Sequence, residues 1–344
     1  MAVLRVPADF RTIGEAVQRA NPGDTIRVAG GVFAEPVSIG TGKDRLAIIG
    51  SGPGNAILQG PGGGVGFDIN GSGFVTIRGF TVTGFERGVQ IGTGDNLIHG
   101  VAVTGNSESG IFVAQSGARN LILGVESSRN GGHGVEVRGS SNYVLAGEFH
   151  HNEGAGIAIS GPNNLALGNR ASGNAFGLES TGGNTTAIGN DFTGNGEGIS
   201  LVSQGHLVFD NVLSRSARTG AELVSAENAA VFANRVSCNQ GAGIRVREGL
   251  GNRVIGNRVE GSLQQGIDLV AALDGVVDDN AVKGNDAAGI RVCGRSAGNA
   301  VRRNRLKRNN PDIEAVPPAD RNNVFDENRC RTSAPEGVCR KEGD

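Results

Sequence analysis

The sequence predicts an all-β solenoid, a chain wound into stacked coils of 21 to 24 residues. The first sign is a repeated phrase, a glycine followed by two apolar residues that flank a variable one. It reads Gly88-Val89-Gln90-Ile91, Gly110-Ile111-Phe112-Val113, Gly134-Val135-Glu136-Val137, and so on to Gly289-Ile290-Arg291-Val292. Its glycine falls at 66, 88, 110, 134, 156, 177, 198, 220, 243, 266 and 289, and self-similarity at such a period marks a solenoid. The second sign is alternation of apolar residues, as in Leu165-Ala166-Leu167, which has the strand period rather than the helical one. The third is glycine itself, 59 of 344 residues, a load that helices do not tolerate. Leucine-rich repeats share the period, but they need leucines at fixed offsets that few turns here supply.

Asparagine repeats as well. Asn169, Asn190, Asn211, Asn234, Asn257, Asn280 and Asn304 form one series, usually within a Gly-Asn or Asp-Asn pair. A second series, Asn106, Asn130, Asn152, Asn174, Asn195, Asn239, Asn285 and Asn309, precedes the glycine phrase. Stacking brings equivalent residues within one strand spacing, about 4.8 Å. Amides in register then form ladders that satisfy buried turn backbone. These asparagines read as scaffold rather than chemistry. The glycine phrase and the Gly-Asn phrase together resemble the parallel β-helix repeat of the right-handed, pectate-lyase-like superfamily, over about residues 1 to 310. The resemblance implies a right-handed parallel β-helix with three sheets. That superfamily includes pectate lyases, polygalacturonases, alginate epimerases and lyases, pectin methylesterases and accessory proteins of periplasmic copper enzymes. An extracellular or periplasmic location is the expectation, with the cysteine content leaving the compartment open.

The chain opens without a secretory leader: Met1 runs straight into Val3-Leu4-Arg5-Val6. A secreted form would therefore have lost its leader. No apolar stretch approaches a membrane span, and no membrane partner is expected. Residues 12–20 predict a helix, with Thr12 and Glu15 fitting a capping box and Ile13, Ala16, Val17 and Ala20 on one face. Asn21-Pro22-Gly23-Asp24 stops it, and strands at Thr25–Val28 and Gly31–Phe33 follow. This opening resembles the N-terminal cap of pectin methylesterases and of the copper-enzyme accessory proteins. A cap over residues 1–65 covers what would otherwise be an open sheet edge and bare core. Coils then run to about residue 310 without a large insertion, so residues 1–310 read as one domain. Residues 311–344 lose the repeat, carry Pro311, Pro317, Pro318 and Pro335, and read as a C-terminal capping tail in which Cys330 and Cys339 are placed to form a disulfide. A net charge of −2 predicts no general attraction to nucleic acid, and the basic run from Arg302 to Arg308 reads as a solvated face.

Stacking also turns sequence columns into spatial neighbours. The middle residue of each phrase points outward: Gln90, Phe112, Glu136, Ala158, Glu179, Ser200, Glu222, Arg245, Asp268 and Arg291. The alternating signs of Glu222, Arg245, Asp268 and Arg291 read as cross-strand charge pairing. The stretch Gly132-His133-Gly134-Val135-Glu136-Val137-Arg138 is the stronger candidate, since it places an imidazole, a carboxylate and a guanidinium on one strand. Arg138 would bind a uronate carboxylate while His133 moves a proton. Glu179 lies two coils beyond Glu136, about 9.6 Å at backbone level. A carboxyl separation of about 6.5–9.5 Å suits an inverting hydrolase. Arg87, Gln90 and Phe112 complete the candidate set as substrate-binding residues. With no Trp and Tyr143 the one tyrosine, the chain suits an anionic glycan gripped by arginine better than a neutral one.

The Gly-His-Gly and its following strand resemble polygalacturonases locally. The other motifs of that family do not follow: Asp278-Asp279 comes after the Gly-His-Gly, and Arg305-Leu306-Lys307 comes far later. The Asp-Pro-His-Asp signature of alginate epimerases and the Asp-Phe-Ile-Phe-Gly strand of pectin methylesterases are absent from the sequence. Glu126 and Glu148, adjacent on stacking, with Arg170 next, read as a compensated column. His99, His133, His150, His151 and His206 show no metal-ligand spacing, so no metal and no cofactor are expected. Two functions remain open. One is an enzyme, a lyase, hydrolase or epimerase acting on an acidic, uronate-containing polysaccharide or oligosaccharide. The other is a non-catalytic β-helix, a glycan-binding, periplasmic accessory or structural protein, which the even coil length favours.

Overall fold

The computed structural model of the chain describes residues 1–339. It is a right-handed parallel β-helix whose strands pair coil upon coil, with two short helices among the described residues. The described residues form two compact units, Met1–Ala175 and the residues from Phe176 onward.

In the first unit successive coils each contribute three short strands, as Arg87–Ile91, Leu97–His99 and Ala102–Thr104 do. Like strands stack in parallel and in register, giving the ladders Val89, Ile111, Val135 and Ile157, then Ile98, Ile122 and Val144, then Val82, Val103, Ser127 and Phe149. All of these point inward and are buried. Each buried Val, Ile, Leu or Phe side chain contributes about 1.5–3 kcal/mol. Bulk alternates along the third ladder, where Phe149 fits between Ser127 and Ala171.

The recurring glycine is required by space. A Cβ built on Gly134 would lie 2.6 Å from the carbonyl oxygen of Gly156 and 3.0 Å from the Asn152 amide nitrogen. Gly110 meets Gly134 at 2.9 Å in the same way. Asn106, Asn130, Asn152 and Asn174 form the expected ladder, each Nδ2 donating to the next Oδ1 at 3.0 Å. The structure adds a ladder that the two asparagine series do not contain: Asn96, Asn120, Asn142 and Asn164, joined at 2.9, 3.0 and 3.2 Å.

The N-terminal helix runs Ile13–Arg19, with Thr12 as N-cap accepting from the Glu15 backbone N–H. The Glu15 carboxylate accepts from Arg11 rather than from Thr12, so the expected capping box is only half formed. Glu35 supplies the rest of the cap by accepting from the N–H groups of Ile13 and Gly14 at 2.7 and 3.0 Å.

In the second unit like strands again stack in parallel, with a different ladder in the turn between the second and third strands of each coil. Asn190, Asn211, Asn234, Asn257, Asn280, Asn304 and Asn328 are joined side chain to side chain at 2.9–3.0 Å. The residue before each asparagine there turns left-handed, and Asp210, Ala233, Asp279 and Arg303 take that conformation at φ 49–56°. The longest strands of the chain, Glu197–Gln204 and Ala221–Glu227, lie side by side, with an irregularity in their register between Val202 and Gln204.

Strand pairing does not stop at residue 310. Ile313–Ala315 pairs with Ile290–Val292, Val324–Asp326 with Ala300–Arg302, and Ser333 with Ile313. Much of the segment expected as a tail is therefore another coil, with the helix Ala319–Asn322 in a turn and a Cys330–Cys339 disulfide beyond it. The basic run is partly compensated, since Arg302 and Arg303 both pair with Asp278.

Candidate functional site

The first-unit candidates sit on the outer face of the glycine-phrase strands, where Gln90, Phe112 and Glu136 are successive neighbours. Phe112 points outward as its register requires, yet it is only 7% exposed. Two guanidiniums cover it: Arg87 lies 4.3 Å and Arg138 4.9 Å from the ring centre. Such contacts contribute about 0.5–2 kcal/mol each. Arg87 also pairs with Glu108 at 2.7 Å and donates to the Gln90 amide oxygen at 2.9 Å, while Gln90 donates to Asp68 at 3.2 Å. The Glu136 carboxylate accepts from Arg138 Nε at 2.7 Å and from the Ser109 hydroxyl at 2.8 Å. Arg87, Gln90, Phe112, Glu136 and Arg138 thus form one connected network, with the Arg138 side chain 54% exposed.

His133 is held differently. Its Nδ1 accepts the Ala155 N–H on the next coil at 2.9 Å. In the neutral ring the proton therefore sits on Nε2, the nitrogen left for exchange. Glu179 belongs to the second unit, on the strand Phe176–Ser180, where it stands beside Ser200. His150 faces Glu126 at 3.2 Å, and its other nitrogen meets His151, so this pair serves a separate contact.

The second unit holds a cluster of which the sequence pattern reveals only part. Asp268 is fully buried, held by Arg291 at 2.8 and 2.9 Å and by Arg245 at 3.1 Å, which is the cross-strand pairing the alternating charges predicted. Beside that ladder stands Glu197, a residue not singled out from the sequence. It is 4% exposed. Burial, then the hydrogen bond and charge of Glu222, push its carboxyl up to about 8, against the opposing pull of Arg218 and Arg245. Its Oε2 lies 3.1 Å from Arg218, whose guanidinium stands 5.3 Å from the Phe176 ring centre. Its buried Oε1 meets no ordinary hydrogen-bond donor among the described residues. Arg247 approaches Glu222 at 3.7 Å. The signal was present in the sequence: Glu197 occupies the slot before the glycine, the slot of His133.

Other ionisable groups are structural by their surroundings. His206 is buried, donates from Nε2 to the Val202 carbonyl at 2.7 Å, and is held below the ordinary imidazole range by burial. Burial likewise pushes the Cys293 thiol up. Among the described residues no group of three or more His, Cys, Asp or Glu is arranged to hold a metal ion, and no helix is long and apolar enough to cross a membrane.

Similar architecture occurs in several solved proteins. The A-module of the Azotobacter vinelandii mannuronan C-5 epimerase AlgE4 superposes with a TM-score of 0.64 at 14% identity, over 93% of this chain and 92% of its own. The periplasmic alginate epimerase AlgG does so with a TM-score of 0.58 at 13% identity, over 96% and 83%. The catalytic unit of a thermostable GH87 alpha-1,3-glucanase from Streptomyces thermodiastaticus gives 0.56 at 12%, over 95% and 63%. At these identities the likeness is one of fold. Among curated proteins no sequence matches this chain. The family described as "Right handed beta helix region" matches residues 65–211 and 179–330. Together these matches span the repeats whose glycine and asparagine columns build the coils, and the chain belongs to that right-handed beta helix family.

Proposed function

We propose that this protein binds an acidic, uronate-containing glycan on the outer face of its first unit and acts on it as a lyase, hydrolase or epimerase. The observation that carries this reading is the pair of guanidiniums seated on Phe112, because a fixed ring orients Arg87 and Arg138 as a fork for a carboxylate. Glu136, tied to Arg138, is a carboxylate able to take a proton, and His133 has Nε2–H to give one. Alginate epimerases and a glucanase stand among the fold neighbours, which supports a polysaccharide as the partner rather than nucleic acid or membrane. The periplasmic alginate epimerase among them also supports an extracellular or periplasmic setting.

A second reading, glycan binding without catalysis, is favoured by the fact that both Glu136 oxygens are already engaged. The two readings separate in one experiment: turnover and binding of polymannuronate, polygalacturonate and a neutral glucan by wild type, E136Q and R138A. The enzyme reading expects wild-type turnover of a uronate polymer, loss of turnover in E136Q with binding kept, and at least tenfold weaker binding by R138A. Binding that depends on Arg138 with no turnover by wild type selects the second reading. Equal behaviour of all three proteins removes these residues from the site.

A further inference from the structure

The second unit repeats the first unit's arrangement with one difference. In both, an exposed arginine sits over a phenylalanine and touches a glutamate: Arg138 on Phe112 with Glu136, and Arg218 on Phe176 with Glu197. Arg218 is the more open of the two, its side chain 60% exposed. Glu136 is held by Arg138 and Ser109 as an acceptor. Glu197 instead faces a second carboxyl, that of Glu222, in a buried position.

The charges can be followed group by group. Around Glu197 stand Glu222 on the following strand, with Arg218 and Arg245, and Arg247 approaches Glu222. Farther along the flanking strands Glu179 pairs with Ser200, and Glu227 pairs with Gln204 at the opposite strand end. Arg245 is engaged with buried Asp268. When Glu197 carries its proton it is neutral, and Arg247 lies against Glu222. Arg218 then has a neutral partner, so its positive charge is open to an external anion. When Glu197 ionises, Arg218 is neutralised from within.

We propose that Arg218, seated on Phe176 and gated by the Glu197–Glu222 carboxyl pair, is a second binding site, one that takes a carboxylate carried by a sugar while the pair shares a proton and releases it when the proton is lost. The sugar part of this assignment rests on the acidic-glycan reading of the first unit, because it is inferred from the matching Arg–Phe–Glu set. The carboxylate and the gating rest on the second unit alone. No covalent bond to the ligand is made or broken; the carboxyl O–H bond of the pair breaks and its proton passes to solvent water. With that proton leaving near pH 8, the affinity falls about tenfold between pH 7 and pH 9.

Calorimetric titration with trigalacturonate tests it, at pH 7 and pH 9, on wild type, E197Q, R218A and R138A, with maltotriose and inorganic sulfate as further ligands. The expected result is a binding component in wild type and R138A whose affinity falls tenfold at pH 9, no such fall in E197Q, and no pH-dependent component in R218A. Pairwise infrared difference spectra of wild type and E197Q, which need no ligand, should show one protonated carboxyl that titrates near pH 8 and is missing from the variant. Absence of that carboxyl overturns the gate and leaves the first-unit reading standing. Binding abolished by R138A and untouched by R218A has the same consequence. Equal binding of sulfate or maltotriose overturns the ligand class. No binding of trigalacturonate by wild type overturns the site. Binding lost in R218A and kept in R138A supports it while removing the first-unit residues.

Discussion

Replacing Glu197 by glutamine should change how stability depends on pH, and the direction follows from the cluster. In the unfolded chain the carboxyl ionises at its ordinary value of 4.5, whereas in the folded chain it does so at about 8. Below pH 4.5 both states hold the proton, between 4.5 and 8 only the folded state does, and above 8 neither does. The free energy of unfolding therefore falls as pH rises through that window and levels off above it. At 1.36 kcal/mol per pKa unit the full displacement corresponds to a loss on the order of 2–5 kcal/mol. Glutamine mimics the protonated acid, donates to Glu222 and does not titrate. Buried His206 works in the opposite sense, since its depressed pKa makes folding less favourable as pH falls. It is present in both proteins and cancels in the comparison. The assay is urea unfolding of wild type and E197Q at pH 5 and pH 8.5. Near-equal midpoints at pH 5 and a more stable variant at pH 8.5 are expected. Parallel curves at both pH values, or a variant that is weaker at pH 8.5, would refute the reasoning.

Two further outcomes test the scaffold. The Asn257 side chain accepts from the backbone and side chain of Asn234 and donates to Val231, Ile255 and Asn280, so Asn257→Ala strands several buried groups. A loss of about 3–5 kcal/mol in urea unfolding is expected, and a loss under about 1 kcal/mol would contradict the ladder. Gly134→Ala drives a methyl against the Gly156 carbonyl oxygen and should cost at least about 2 kcal/mol, while Gly63→Ala, with open space at its Cβ and no positive φ, should change the midpoint little.

The coil was legible because its two constraints leave fixed marks on the sequence. Backbone meets backbone at the phrase glycine, so no other residue fits at Gly134. Each amide ladder needs asparagine at one spacing, so Asn130 implies Asn152. The missed ladder through Asn96, Asn120, Asn142 and Asn164 carried the same spacing, but its last three members follow Arg119, Ser141 and Asn163 rather than the glycine or aspartate that usually precedes the first series. Glu35 as a helix cap was not legible, because its partners Ile13 and Gly14 lie 22 and 21 residues away and only the fold brings them near. The extra coil after residue 310 was hidden by its prolines, which stand in turns while Ile313 and Val324 keep the pairing. At the candidate site, the outward column gave the neighbours of Phe112 and Glu136, yet it did not show that two arginines close over the ring. Glu197 shares the slot of His133, yet its raised carboxyl comes from burial beside Glu222, a property of the fold and not of residue type.

Acidic-glycan binding is tested most directly by a crystal structure of the wild-type protein with trigalacturonate bound at pH 6.5. A sugar carboxylate is expected within about 3 Å of the Arg138 guanidinium, with the chain of sugars running along the face that holds Gln90, Phe112 and Glu136. A trisaccharide bound elsewhere on the coils, with Arg138 and Arg218 both making only the internal contacts described above, would contradict it.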